Sequence, residues 1–515
     1  MVRNFLTVGG ATFSSRVLGF VRDSMIAYAM GSGPMAEAYT VANRLANMFR
    51  RLFAEGAFAT AFVPTYTSIA EVGGKERAQI FASESVSILV YVLALTTVLA
   101  ELFMPQLTLL LAPGFADSPE KLDATILMGR ILFPYLLLIS LTTSYISILY
   151  SVGDFKLASF SQVFQNVFLI CALAAILLLS LHGTLTAGLY LSVATLAGGV
   201  FQLIVVYAAC RRRGIRLRLV APSASVEVKR LYSMALPGII SGGVAQINIT
   251  VGTAIASTQA GAVAWLYYAD RLYQLPLGII GITVATVILP DLSRMQERGE
   301  IEKVHHHLNR SLEFAMIFAV PATIGLMLFS KELVGGLFEY GRFSAADTEA
   351  TAAVVALFGT GLPAYIALAV FRPAYFSKGD AFTPLKFSIL NMGLNVMIAV
   401  SLFPFLGYLA CAIATSVAAW VNFLLLYVKM RRDQIYAPDT RVIKSLWLTA
   451  IAAIVMAGGG LAFVYAVGSF EKLDYGKTLV LVGLLPLCFV AYFGALIASK
   501  TMRDQLRRKL VRKKI

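Results

Sequence analysis

The chain has 515 residues, of which 58% are hydrophobic and 14% charged, with a mean hydropathy of +0.77; soluble domains carry about 25% charged residues. A water-soluble globular protein is excluded, and an all-α polytopic membrane protein is expected, because apolar runs of about 20 residues, each able to cross a core of about 30 Å as a helix, recur throughout. The formal net charge of +15 does not point to nucleic acid, since the basic residues gather at alternate span ends and in the tail, as the positive-inside rule predicts.

About fourteen spans are expected. The first, near residues 5–30, contains Ser15-Arg16-Val17-Leu18-Gly19-Phe20-Val21-Arg22-Asp23. Its two arginines interrupt the apolar region, so it reads as a span and not as a cleavable signal peptide. Arg16 and Asp23 are seven residues apart and share a helix face, with Arg22 turned by about 120°. The second segment carries Glu37, Arg44, Arg50, Arg51 and Glu55. At about 100° per residue Glu37, Arg44, Arg51 and Glu55 fall within about 40° of one stripe, and Arg50 points about 100° away from Arg51. Arg51 and Glu55 form an i,i+4 pair. Each of the two helices can thus hold one internal ion pair and one spare arginine. A mid-bilayer charge costs about 2.5–3.5 kcal/mol on insertion scales, so such residues normally face a watery cavity and handle a charged cargo.

Further along, the basic connectors are Lys75 with Arg77, Arg211-Arg212-Arg213 with Arg216 and Arg218, residues 294–310, Lys429 with Arg431 and Arg432, and the tail 503–514. The short connectors 31–34, 181–183, 258–261 and 404–407 carry no Lys or Arg, and Lys121, Lys331, Arg342 and Lys472 are scattered exceptions in longer ones. Both termini are therefore expected in the cytoplasm, with an even number of spans.

Two landmarks recur at an offset of about 226 residues, as expected for a duplicated transporter. Pro64 in Ala61-Phe62-Val63-Pro64-Thr65 matches Pro290 in Val287-Ile288-Leu289-Pro290-Asp291, and Ser151-Val152-Gly153-Asp154 matches Ser377-Lys378-Gly379-Asp380. The expected organisation is a six-helix lobe over 1–210, a basic cytoplasmic linker over 211–228, a second six-helix lobe over 229–432, two additional helices over 433–500 and a basic tail over 501–515. An even repeat keeps one membrane orientation in both copies, which predicts a cargo site near the midplane between lobes.

The second lobe adds Tyr267-Tyr268-Ala269-Asp270-Arg271. Arg271 can complete a cluster with Arg16, Arg22 and Arg50, whose planar guanidiniums suit a phosphate or pyrophosphate. The alternative is that these arginines only pair with Asp23, Glu37, Glu55 and Asp270 to lock helices together. His305-His306-His307 reads as a solvated loop, because consecutive residues point in different directions. Asn248, Asn391 and Asn395 are helix–helix hydrogen-bonding groups or part of a cation site. The four cysteines, Cys171, Cys210, Cys411 and Cys488, have no paired spacing and read as small core residues. No Walker loop, nucleotide fingerprint or nucleophile elbow is present, so no catalytic residue, metal site or cofactor is expected, and the protein is not expected to be an enzyme.

The strings around Arg16 and Arg22, Arg50-Arg51-Leu52-Phe53-Ala54-Glu55-Gly56-Ala57-Phe58, Tyr267-Tyr268-Ala269-Asp270-Arg271-Leu272 and Pro290-Asp291-Leu292-Ser293, in this order, closely resemble the bacterial lipid II flippase family (MurJ, MviN) over essentially the full chain. That family lies in the multidrug/oligosaccharidyl-lipid/polysaccharide exporter superfamily. The resemblance implies two six-helix lobes, alternating access, and outward movement of undecaprenyl-pyrophosphate-linked disaccharide-pentapeptide. It implies that Arg16, Arg22, Arg50 and Arg271 line the central cavity, that Glu37 and Glu55 are functionally sensitive, and that Asp23 belongs to the substrate site with them. The last two helices resemble a lipid-tail groove. Glu37 stands where Asp is common and Ala46 where a proline often occurs. The implied setting is the bacterial inner membrane, with lipid II, membrane lipids and cell-wall synthesis enzymes as partners. Membrane potential is the expected drive, and sodium, protons and chloride stay open as assistants. The competing readings are an exporter of another lipid-linked oligosaccharide or of drug cations, and a non-transporting scaffold for wall synthesis.

Overall fold

The computed structural model describes residues 2–53, 57–154, 156–221, 225–468 and 475–498, and those residues form helices and connecting turns with no strand among them. The chain divides into two compact units, Met1–Ala264 with Tyr340–Phe343, and Trp265–Glu339 with Ser344–Ile515.

The first unit contains α1 (Val2–Met30), α2 (Pro34–Phe53), α3 (Ala57–Leu102), α4 (Met104–Leu111), α5 (Pro119–Leu132), α6 (Tyr135–Ser151), α7 (Lys156–Leu178), α8 (Leu185–Arg212) and α9 (Val226–Ala256). α3 is two helices joined at Gly74, which has φ 77°. α7 packs on α1 and α8, α5 on α2, and α9 on α3. In α6, Ser140, Ser144, Ser147 and Ser151 each donate to the carbonyl four residues earlier, which satisfies their hydroxyls without a partner helix or water.

The second unit contains the remainder of α10 (Ala262–Pro276), a π-helical turn at Leu277–Ile282, α11 (Thr283–Glu297), α12 (Ile301–Leu328), α13 (Ser330–Phe338), α14 (Ala345–Phe376), α15 (Phe382–Leu406), α16 (Leu409–Arg432), α17 (Thr440–Val467) and α18 (Gly476–Ala498). The wide π turn follows Pro276, which lacks the N–H that a regular ladder needs. Ser344 and Asp347 form a reciprocal cap that starts α14. Asp439 starts α17 by accepting from the Val442 N–H at 2.7 Å. The α17–α18 pair docks on α12 through a core of Phe329, Met456, Leu484, Cys488 and Tyr492, pinned by the Tyr492 hydroxyl donating to Ile317 O at 2.6 Å.

Among the described residues, eleven helical stretches are long and apolar enough to cross a membrane. The longer total of about fourteen is not reached by that count; α1, α2 and α9 are the remaining long helices. α2 is the least apolar of these, carrying Glu37, Arg44, Arg50 and Arg51 within 20 residues. Large apolar side chains point outward, among them Trp447, Ile454, Tyr465 and Phe489, a pattern that suits hydrocarbon as the surrounding solvent.

The sequence repeat is also a repeat of backbone turns. Left-handed residues close corresponding connections in the same order, Gly31 and Gly261, Gly74 and Gly299, Gly153 and Gly379, Gly183 and Gly407, Gly214 and Gln434, each pair about 220–230 residues apart, as parallel duplication requires. At the two Gly-Asp turns the bonds themselves match. Gly153 N donates to Tyr150 O and Asp154 N to Leu149 O, while Gly379 N donates to Phe376 O and Asp380 N to Tyr375 O. Glycine is needed there because its φ of 79° or 76° is costly for a residue with a Cβ.

The tetrapeptide Tyr340–Phe343 belongs to the first unit because Arg342 N donates to Tyr28 O at 3.0 Å beside the α1–α2 turn. Gly31 in that turn has φ 61°, and a Cβ on it would meet Arg342 O at 2.5 Å. Gly31→Ala is expected to destabilise the protein by about 2 kcal/mol or more through the left-handed penalty plus the clash. Thermal unfolding of the purified variant checks this, and an unchanged midpoint would contradict it.

Candidate functional site

Among the charges of α1, Asp23 is buried and Arg22 half-buried, and they pair with each other. Arg22 Nη2 and Nε donate to Asp23 Oδ1 at 2.7 and 3.0 Å, and Nη1 donates to Asn166 Oδ1 on α7 at 2.9 Å. The Asn166 amide donates back to Ser15 O at 3.0 Å, so its orientation is set by a backbone acceptor and its carbonyl is left facing the guanidinium. Arg16 is exposed. Its formal charge is the one that the Arg22–Asp23 pair leaves uncompensated in this stretch.

This differs from the pairing that helix faces suggest, Arg16 with Asp23. Those residues are separated by about 10.5 Å along the axis, too far for an ion pair. The long Arg22 side chain instead folds onto the carboxylate of the next residue.

On α2, Arg50 Nε donates to Asn47 Oδ1 at 2.9 Å, and Arg44 donates to the Thr253 hydroxyl on α9. Glu37 is 1% exposed. It accepts from Lys121 Nζ of α5 at 2.9 Å and from Val263 N at 3.2 Å. Lys121, itself buried, lies 4.1 Å from the centre of the Phe115 ring. The shared helical stripe therefore spans different environments, from buried Glu37 through half-buried Arg44 to exposed Arg51. Glu55 lies outside the described residues.

Arg271, in the second unit, is half-buried with its Cζ 4.7 Å from the centre of the Tyr267 ring, a cation–π geometry. Its neighbour Asp270 accepts from Gln274 one turn on. In this unit α14 carries Arg372 next to Phe371 and Pro373, with Tyr365 as an electrostatic neighbour. The structure thus joins Arg22 to Asp23 within the first unit and gives Glu37 a separate buried partner. Arg16, Arg22 and Arg50 belong to the first unit and Arg271 to the second.

Sequence reasoning missed Asn166, Lys121 and Arg372. Asn166 follows Gln165 in an apolar span, where polar side chains need partners. Lys121 lies in an outer connector, against the charge bias, and nothing in its spacing points to Glu37. Arg372 meets the criterion that singled out Arg16 and Arg22, an arginine in an apolar run. The histidine tract is helical and not a loop: it occupies the first turns of α12, where His305 Nε2 lies 2.7 Å from Gln434 O. Asn395 donates to the Thr415 hydroxyl at 3.4 Å, linking α15 to α16. Among the described residues no group of His, Cys, Asp and Glu is arranged to hold a metal.

The family model described as lipid II flippase MurJ matches residues 26–481. A probable lipid II flippase MurJ of Rhizobium tropici is 38% identical over 100% of this chain and 97% of its own length. That of Rhizobium meliloti (strain 1021) is 40% identical over 96% and 93%. Among solved structures, one titled lipid II flippase MurJ, inward closed conformation, superposes with a TM-score of 0.79 at 21% identity, covering 97% of this chain and 99% of that one. An inward-facing multidrug resistance MATE family transporter of the MOP superfamily superposes with a TM-score of 0.64 at 18% identity, covering 81% and 95%. Both likenesses concern the fold.

Proposed function

The chain belongs to the lipid II flippase MurJ family, and on that premise we propose that it carries lipid II from the inner to the outer leaflet by alternating access. It is a carrier and not an enzyme. The observation that carries the reading is the family match across residues 26–481, a stretch that includes the second unit's Arg271. Multi-pass insertion follows from the eleven apolar helices.

The site chemistry belongs to the proposal. A sugar–peptide–pyrophosphate headgroup cannot enter hydrocarbon unaided, and guanidiniums from Arg16, Arg22, Arg50 and Arg271 replace part of its hydration with forked hydrogen bonds. Asp23 and Asn166 preset the Arg22 fork. Glu37, locked to Lys121, braces α2 against α5 and so holds the helix that bears Arg50. The exposed apolar faces of α17 and α18 offer the undecaprenyl chain a path that stays in lipid. Both termini and the basic connectors face the cytoplasm of a bacterial inner membrane, in keeping with the positive-inside bias. Membrane potential, at about 2.3 kcal/mol per charge per 100 mV, biases the return of the unloaded carrier.

The test is complementation of a strain depleted of its own flippase, with lipid II on the outer leaflet measured by an external probe. Restored growth and restored outer lipid II are expected. Normal membrane insertion with lipid II still confined to the inner leaflet would overturn the proposal.

A further inference from the structure

Beyond the carrier site, we propose that residues 211–221, with Val226, Lys229 and Arg230 at the start of α9, are a docking strip for the headgroups of anionic phospholipids. Residues 211–230 hold Arg211, Arg212, Arg213, Arg216, Arg218, Lys229 and Arg230 against a single carboxylate, Glu227. Two of these charges are balanced across helices: Arg213 pairs with Asp154 at 2.9 Å, and Glu227 is taken by Arg77 at 2.7 Å. Arg211, Arg212, Arg216, Arg218, Lys229 and Arg230 are exposed and have no side-chain partner among the described residues.

Between Arg216 and Val220 the backbone is laced to one face of α3. Arg216 N donates to Gln79 Oε1 at 3.2 Å, Arg218 N to Ser83 Oγ at 3.2 Å and Val220 N to Ser87 Oγ at 3.0 Å. The rungs fit because two repeats match. Four residues of helix advance about 6.0 Å, and two residues of extended chain advance about 6.6 Å. Gln79, Ser83 and Ser87 therefore meet alternate residues of the segment with little accumulated error. The Tyr232 hydroxyl donates to Ser85 O at 2.8 Å and fixes the start of α9 on the same helix.

Alternation then sorts the side chains. Arg216 and Arg218 share one face of the extended segment and are exposed. Ile215, Leu217 and Leu219 share the other, passing from buried to half-buried to 67% exposed. Val226 beyond them is 80% exposed. An extended ribbon with forked cations on one face and an uncovered leucine at its end fits a bilayer interface, where guanidiniums bind headgroup phosphates and the apolar groups enter the acyl boundary. Fixing the backbone beforehand lowers the ordering cost of binding. An acidic soluble protein would match the charge and leave Leu219 and Val226 unexplained.

The experiment is native mass spectrometry of the full-length protein released from micelles containing equal phosphatidylglycerol and phosphatidylcholine. Phosphatidylglycerol is expected to be retained preferentially, and R211Q/R216Q/R218Q is expected to lower that preference roughly a hundredfold. A control, R298Q/R431Q/R432Q, removes three exposed charges elsewhere and is expected to keep most of the preference. Equal losses in the two variants would reduce the strip to unspecific charge and overturn the proposal. No preference in the wild-type protein would overturn it as well, as would tighter retention of a polyglutamate peptide than of lipid. The readout is lipid binding, so its failure is separate from any failure to move lipid II.

Discussion

Lys121→Met is expected to destabilise the protein by about 3–5 kcal/mol, the usual consequence of removing one partner from a buried ion pair. Glu37 is 1% exposed and its carboxylate bridges Lys121 Nζ and Val263 N. Without the ammonium it keeps backbone donors at Gly261 and Val263 and a charge that burial opposes. The double variant Glu37→Gln with Lys121→Met removes both charges, and the glutamine carbonyl still accepts from Val263 N. Most of the lost stability is expected to return. Thermal unfolding followed with a thiol-reactive dye can report this in a Cys171→Ser background, since Cys171 is exposed while Cys210, Cys411 and Cys488 are buried free thiols. A single variant as stable as wild type would remove the brace from the account. Transport by the double variant separates two roles for Glu37: recovery with stability means that it braces α2, and stability without transport means that it also acts on the cargo.

Arg22→Ala is expected to lower transport per folded molecule by about two orders of magnitude, which corresponds to about 2.7 kcal/mol and lies within the range for a charge-assisted pair stripped of one member, and also to lower stability, because buried Asp23 loses this partner. The guanidinium is already held by two donor contacts to Asp23 and one to Asn166. Arg22→Lys keeps the charge and loses the fork. It should transport at an intermediate level. Asn166→Ala keeps the fork and removes the contact that aims it, so it too should be intermediate, with a weaker apparent affinity for lipid II. Wild-type transport by Arg22→Ala, in protein shown to be folded, would contradict a substrate role for this residue.

How much of this was legible depended on the range of the interaction. The helices were readable because apolar run length acts locally, and so were the Gly-Asp turns at Gly153 and Gly379, which close with the same hydrogen bonds. The partner of Asp23 was not, because helical-wheel geometry gives the direction of a Cβ and not the reach of an arginine. That reach decided for Arg22. Glu37 looked like one member of a charged stripe, and its actual partner, Lys121, lies 84 residues away on α5. Nothing in the spacing of either residue announces the pair. The histidines at 305–307 read as loop because they lie within the basic connector 294–310 and consecutive side chains point in different directions, yet α12 runs through them. The linker was recognised as basic, but its lacing to Gln79, Ser83 and Ser87 needs the coincidence of a helix rise with a strand rise, which only coordinates reveal.

The central claim is tested most directly with purified protein in liposomes that contain fluorescent lipid II in both leaflets, read by the fraction that an impermeant quencher or an external enzyme reaches over time. The account predicts that wild-type protein exchanges lipid II between leaflets, that an inside-negative potential changes the rate, and that Arg22→Ala slows it to near the protein-free rate. Lipid II that stays in its original leaflet with folded wild-type protein present would contradict it.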